Sequence, residues 1–86
     1  MKEKIRLFNQ LRDLFISIKS NDEMENLLLG ILSPQELDEV ATRLEIVRLL
    51  KNGTPQKQIA EKLAVGIATV TRGSREIKRG RFKYVN

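Results

Sequence analysis

The residues with the most specific chemistry in this chain are short side chains followed by cations. Ile67, Ala68, Thr69, Thr71 and Arg72, then Arg75 and Lys78, fall within the stretch QKQIAEKLAVGIATVTRGSREIK from Gln56 to Lys78. Small residues near the start of a helix let its backbone sit deep in a DNA major groove, where methyls touch thymine and hydroxyls bond base edges or phosphate. The charge is segregated to match. From Met1 to Thr71 there are ten Lys and Arg and ten Asp and Glu, whereas the remainder carries Arg72, Arg75, Lys78, Arg79, Arg81 and Lys83 against Glu76 alone. The whole net charge of +5 therefore lies there. Polyphosphate binding by counterion release requires such a one-sided excess. A basic tail that merely aids solubility is the plainer reading, and the position of the cluster beside the short-residue helix argues against it.

Other chemistry is poorly served. The chain has no Cys and no His, which removes disulfides, thiolate metal sites and the commonest general base and metal ligand. No enzyme activity, metal or cofactor is expected, and Glu36, Glu39 and Glu45 read as a solvated helix face. No run of eighteen apolar residues suggests a membrane span, and MKEKIRLFNQLRDLF has charges scattered through its apolar positions, unlike a secretory signal. The expected location is cytoplasmic. Eighty-six residues make one domain with a barely adequate core, so an oligomer is expected.

The elements that must position the short-residue helix are themselves helical. Leu7, Leu11, Leu14 and Ile18, with Ile5, Phe8 and Phe15 beside them, predict an amphipathic helix over about 2–19. Asp22 is a candidate N-cap for a second, greasy helix through Leu27, Leu28, Leu29, Ile31 and Leu32. An intertwined homodimer would cover so apolar a segment; an ordinary buried helix in a monomer is the alternative. Ser33, Pro34 and Glu36 form a capping-box signature for a third helix over about 34–51, with Leu37, Val40, Ala41, Leu44 and Val47 on one face and Asn52-Gly53 as a left-handed C-cap.

Thr54 and Pro55 repeat the start signal. Ile59, Ala60 and Leu63 on one short helix, and Val65 and Val70 after it, supply the apolar contacts of a helix-turn-helix with its second helix beginning near Gly66 or Ile67. Ala64 in a left-handed turn there would cost about 1 kcal/mol relative to glycine. Gly73 implies either a close approach to the backbone or an early helix end, with Ser74 capping a new turn. The tail RGRFKYVN has no helical pattern and reads as mobile without a ligand, Phe82 or Tyr84 being free to pack back or stack on a partner.

With these residues in view, the segment 32–78 resembles the tryptophan repressor family. LSPQELDEVATRLEIVRLLKNG resembles that family's long third helix, and GIATVTRGS is similar to its recognition-helix signature. The resemblance implies an all-α, intertwined helical homodimer with a helix-turn-helix reading head on each side. It divides the single domain into dimerisation helices (1–53), the helix-turn-helix (54–78) and a basic tail (79–86). It implies a repressor of transcription that binds a double-stranded DNA operator, gated by L-tryptophan as corepressor. The implied DNA contacts are Gln56, Lys57, Gly66, Ile67, Ala68, Thr69, Thr71 and Lys78, joined by Arg72 and by Arg75, which replaces an asparagine. Ala60 stands where the family has a contacting lysine. The implied effector site sandwiches the indole between Arg43 and Arg72 beside Gly73, with Ser33 at its mouth and backbone carbonyls of Ile31 and Leu32 receiving the ammonium group.

Glu76 departs from the family serine at that site; its carboxylate could attract the ammonium group, repel the ligand carboxylate or pair with Arg72. The family's final helix has no counterpart in the pattern here, and the loop after Gly53 is one residue shorter. A reading from another class is a helical interaction module whose basic tail docks RNA or an acidic protein partner.

Overall fold

Ser33 and Glu36 do what their spacing predicts. The Glu36 N–H donates to Ser33 Oγ at 3.1 Å, and the Ser33 N–H donates to Glu36 Oε1 at 2.9 Å. Two helix-start donors are thereby satisfied reciprocally. The helix they open, α3, spans Pro34–Lys51 in a computed structural model that describes all 86 residues. Before it lie α1 (Lys2–Ser17) and α2 (Asn21–Ile31), and after it α4 (Gln56–Leu63) and α5 (Ile67–Lys78). There is no strand, and no helix is long and apolar enough to cross a membrane.

The chain forms two compact units, residues 1–37 and 38–86. In the first, α1 and α2 contain no buried residue. Ile5, Leu7, Phe8, Leu11, Leu14 and Ile16 are all exposed, Phe8 by 64% and Ile16 by 74%. The helix start at α2 corrects the sequence reading: Ser20 is the N-cap, not Asp22. The Glu23 N–H donates to Ser20 Oγ at 3.1 Å, and the Ser20 hydroxyl donates to Glu23 Oε1 at 3.1 Å. Serine and aspartate cap equally well and each has a glutamate three residues on, Glu23 for Ser20 and Glu25 for Asp22; capping from Ser20 brings two more residues and their hydrogen bonds into the helix.

The second unit holds the whole buried core: Ile46, Val47, Ile59 and Val70. Leu49, Leu50, Ala60, Leu63 and Val65 pack against this core. Burying side chains of this size stabilises by roughly 1.5–3 kcal/mol each. The face expected along α3 is only partly used. Val47 is buried, but Val40 and Leu44 are 46% and 42% exposed, and the packed side runs instead through Ile46, Val47, Leu49 and Leu50. Helix α3 is apolar on two sides, and a periodicity reading follows only one.

Three helix ends close with the same device. At the end of α3 the Gly53 N–H donates to Leu50 O and the Thr54 N–H to Leu49 O; at α4 Ala64 and Val65 reach Glu61 O and Ala60 O; at α5 Gly80 and Arg81 reach Ile77 O and Glu76 O. These are Schellman motifs, which need a left-handed residue at the turn. Gly53 (φ +89°) and Gly80 (φ +82°) adopt it freely, whereas Ala64 adopts φ 55°, ψ 46° against the steric preference of an L-residue. The turn does not differ from the left-handed form; it tolerates the strain. Val65 and Ala60, on either side of the turn, both pack against the core.

Candidate nucleic-acid interface and the cavity behind it

Helix α5 is continuous from Ile67 to Lys78, so the early end at Gly73 does not occur. Advancing about 100° per residue, it divides into three sides. Val70, fully buried, faces α4 and anchors the helix, with Ile77 half-buried further along. Ile67, Ala68, Thr71, Arg72, Arg75 and Lys78 cluster on the opposite side and are exposed, Ile67 by 52%. An exposed isoleucine beside alanine and threonine on a helix whose other side is packed makes a surface of methyls and hydroxyls, flanked by cations. Gly66, the N-cap residue, is exposed at its head, as is Lys57 near the start of α4.

Gln56, half-buried, lies at the first position of α4 and accepts a hydrogen bond from the Thr71 hydroxyl at 2.9 Å. Two of the residues expected to touch DNA therefore hold one another in place across the two helices. Neither composition nor periodicity carries a signal for that pairing.

The third side of α5 carries Thr69, Arg72, Gly73 and Glu76, spaced i, i+3, i+4 and i+7. Opposite them on α3 stand Arg43, Ile46 and Val47, spaced i, i+3 and i+4, and between the two rows is a cavity of about 150 Å³. Gly73 is where the helices approach closest: a Cβ there would lie 3.2 Å from Ile46 Cγ2 and 3.4 Å from Leu50 Cδ1. The cavity thus joins Arg43, Arg72, Gly73 and Glu76 of the expected effector set. Ile31, Leu32 and Ser33 belong to the other unit, at the end of α2 and the cap of α3, and are not among its lining residues. Arg43 and Arg72 are left without carboxylate partners by the chain's ion pairs, Glu3–Arg6, Arg12–Asp13, Glu76–Arg79 and Glu76–Arg81. Glu76 does not pair with Arg72. Its oxygens bind Arg79 at 2.7 Å and Arg81 at 3.4 Å, which turns its charge toward the tail.

The tail, expected to be mobile without a ligand, is instead fastened to the end of α3, and of the two aromatics Phe82 is the one that packs back. Residues 79–84 form a series of turns, and the Lys51 ammonium donates to the carbonyl oxygens of Phe82 and, at 2.6 Å, of Val85. Phe82 completes the lining of the cavity, while Tyr84 is 94% exposed. Arg72 belongs to two surfaces at once, the exposed face of α5 and the cavity wall, so whatever fills the cavity bears directly on a residue of the basic face.

Comparison with known proteins gives the family of the chain. The family model for the Trp repressor protein matches residues 6–86. The Trp operon repressor homolog of Vibrio atlanticus (strain LGP32) is 39% identical over 72 residues, covering 83% of this chain and 74% of the relative. That of Vibrio campbellii (strain ATCC BAA-1116) is 40% identical over 72 residues, with 83% and 72% covered. The homolog of Actinobacillus succinogenes is 43% identical over 63 residues, with 72% and 61% covered. No solved structure matches the chain. With a family model spanning nearly its full length and relatives of this similarity, the chain belongs to the Trp repressor protein family.

Proposed function

We propose that this protein is a dimeric transcriptional repressor in which α4, the turn at Ala64 and α5 form a helix-turn-helix, with α5 as the recognition helix. The observation that carries the reading is the division of α5: Val70 fully buried on one side, and Ile67, Ala68, Thr71, Arg72, Arg75 and Lys78 exposed on the other. A helix so anchored offers short side chains and cations to a groove without further rearrangement. Homodimerisation is supported by α1 and α2, which bear broad apolar faces and bury no residue within one chain. Apolar surface of that extent marks an interface. Two copies would set two recognition helices against half-sites about one helical turn apart.

L-Tryptophan is the proposed corepressor. The cavity between α3 and α5 supports it, with two unpaired guanidiniums on an apolar floor made by Ile46, Val47 and Gly73. A planar ring stacks between guanidiniums, and a carboxylate is drawn to them. Titration of duplex DNA from the chain's own genomic neighbourhood, with and without tryptophan, tests both parts. Sequence-selective binding strengthened by tryptophan is expected. Equal binding in both conditions removes the corepressor alone, and binding to RNA or an acidic protein but to no duplex removes the repressor.

A further inference from the structure

The cavity behind α5 is small for the ligand proposed for it. Sites that enclose an organic ligand usually measure about 300–1,000 Å³, and a cavity of about 150 Å³ holds one benzene ring. The space between α3 and α5 is about 150 Å³, enough for one ring but not for an indole together with an amino-acid backbone. Part of its boundary is an aromatic side chain from the tail. Phe82 lines the cavity together with Arg43, Arg72 and Gly73.

That side chain is held by bonds to the residues around it, from Glu76 in the cavity wall and from the end of α3. Gly80, at φ +82°, turns the chain back at the end of α5, and Glu76 binds Arg79 and Arg81 on either side of the turn. Further along, the Lys51 ammonium donates to the carbonyl oxygens of Phe82 and Val85, and the Val85 N–H donates to Phe82 O at 3.2 Å. Arg48 lies 3.5 Å from the Asn86 carbonyl. The fastenings thus come from the last turn of α3 and from α5 itself, the two helices that form the cavity.

We infer that residues 79–86 are a strap that sets Phe82 across the cavity as a tethered competitor, so that a two-ring aromatic ligand enters only when the strap lifts. The inference rests on the corepressor reading for the identity of the ligand, and on the geometry alone for the closed strap. The apparent affinity for ligand is the intrinsic affinity reduced by the fraction of molecules with the strap open. Phe82 is in this sense a specificity residue: with the strap closed, single-ring compounds fit and tryptophan does not.

The test uses the full chain and three proteins: the unaltered protein, Lys51→Ala and Phe82→Ala. Lys51 is not a lining residue of the cavity, so its loss loosens the strap without altering the wall. Calorimetric titration with L-tryptophan should show both variants binding about tenfold more tightly, the gain expected when the strap is open about a tenth of the time. Weaker binding by Phe82→Ala, or unchanged binding by Lys51→Ala, makes Phe82 a wall of the site and overturns the strap. A ligand-free arm separates this from failure of the corepressor reading. Exchange of the Val85 amide, followed by NMR, should be about tenfold slower in the unaltered protein than in Lys51→Ala, the ratio that the same open fraction sets, while the amides of α4 are unchanged. Equal exchange rates at Val85 in the two proteins overturn the strap whether or not tryptophan binds.

Discussion

Replacing Ala64 with glycine should stabilise the protein, although it removes a side chain. Ala64 sits at φ 55°, ψ 46°, the left-handed position of a Schellman motif, with Ala64 and Val65 N–H groups donating to Glu61 and Ala60 carbonyls. An L-residue in that conformation costs about 1–2 kcal/mol. Glycine removes this cost but has a freer unfolded chain, which offsets about 0.4–1 kcal/mol. Ala64 is exposed, so its methyl contributes little packing to be lost. The balance is a gain of about 0.5–1 kcal/mol, a rise in Tm of roughly 3–6 °C for a domain of this size. Urea denaturation of Ala64→Gly and the unaltered protein, at equal protomer concentration because association shifts apparent stability, measures it directly. Equal or lower stability in Ala64→Gly would refute the reasoning, because it would mean the turn is left-handed without strain. Ala64→Val should lie on the other side, since a branched side chain fits this conformation worse than a methyl.

Gly73→Ala sets about 1 kcal/mol of helix propensity against overpacking of about 1–3 kcal/mol. The contact at 3.2 Å is with the branched methyl of buried Ile46, which cannot swing away. A net loss of about 1 kcal/mol by denaturation is expected, with weaker DNA binding as α5 is pushed from α3. At Glu36 the Ser33 N–H and then the Ser33 hydroxyl hold the carboxyl below its ordinary value of 4.5. A lowered folded pKa means the capping box contributes fully above that value and is lost as pH falls through the lower one. Glu36→Gln should therefore flatten the acid side of the stability curve below about pH 4.5 and leave neutral pH little changed, as read by circular dichroism. Arg75→Ala or Lys78→Ala should weaken binding to all duplexes and reduce the salt slope by about one each, whereas Ile67 or Ala68 substitutions should change preference among sequences. Competition titrations at several salt concentrations distinguish the two patterns.

Much of this was legible because it is local. The capping box at Ser33, the left-handed Gly53 and the apolar set Ile59, Leu63, Val65 and Val70 are all fixed by neighbours a few residues away, and the structure contains them at the expected positions. The left-handed turn at Ala64 could be located, and its cost named, from the spacing of the helices on either side. The tail could not be read in this way. Its pattern is not helical, and its fastening to Lys51 spans 31 and 34 residues, so no local rule reaches it. The partners of Glu76 were only half hidden: Arg79 stands at i+3, a spacing at which helix charges meet, while Arg72 at i−4 competes for the same carboxylate. The packed side of α3 was misjudged because a helix with two apolar faces gives no single period to follow.

The exposed face of α5 is proposed to read DNA in pairs. Hydroxyl-radical footprinting of the purified protein on DNA from its own genomic neighbourhood, at low salt and with tryptophan present, tests it most directly. The account predicts two protected half-sites related by a palindrome and about one helical turn apart, both lost in a variant carrying Ile67→Glu and Lys78→Glu. A single protected site, no protection, or protection that survives those two substitutions would contradict it.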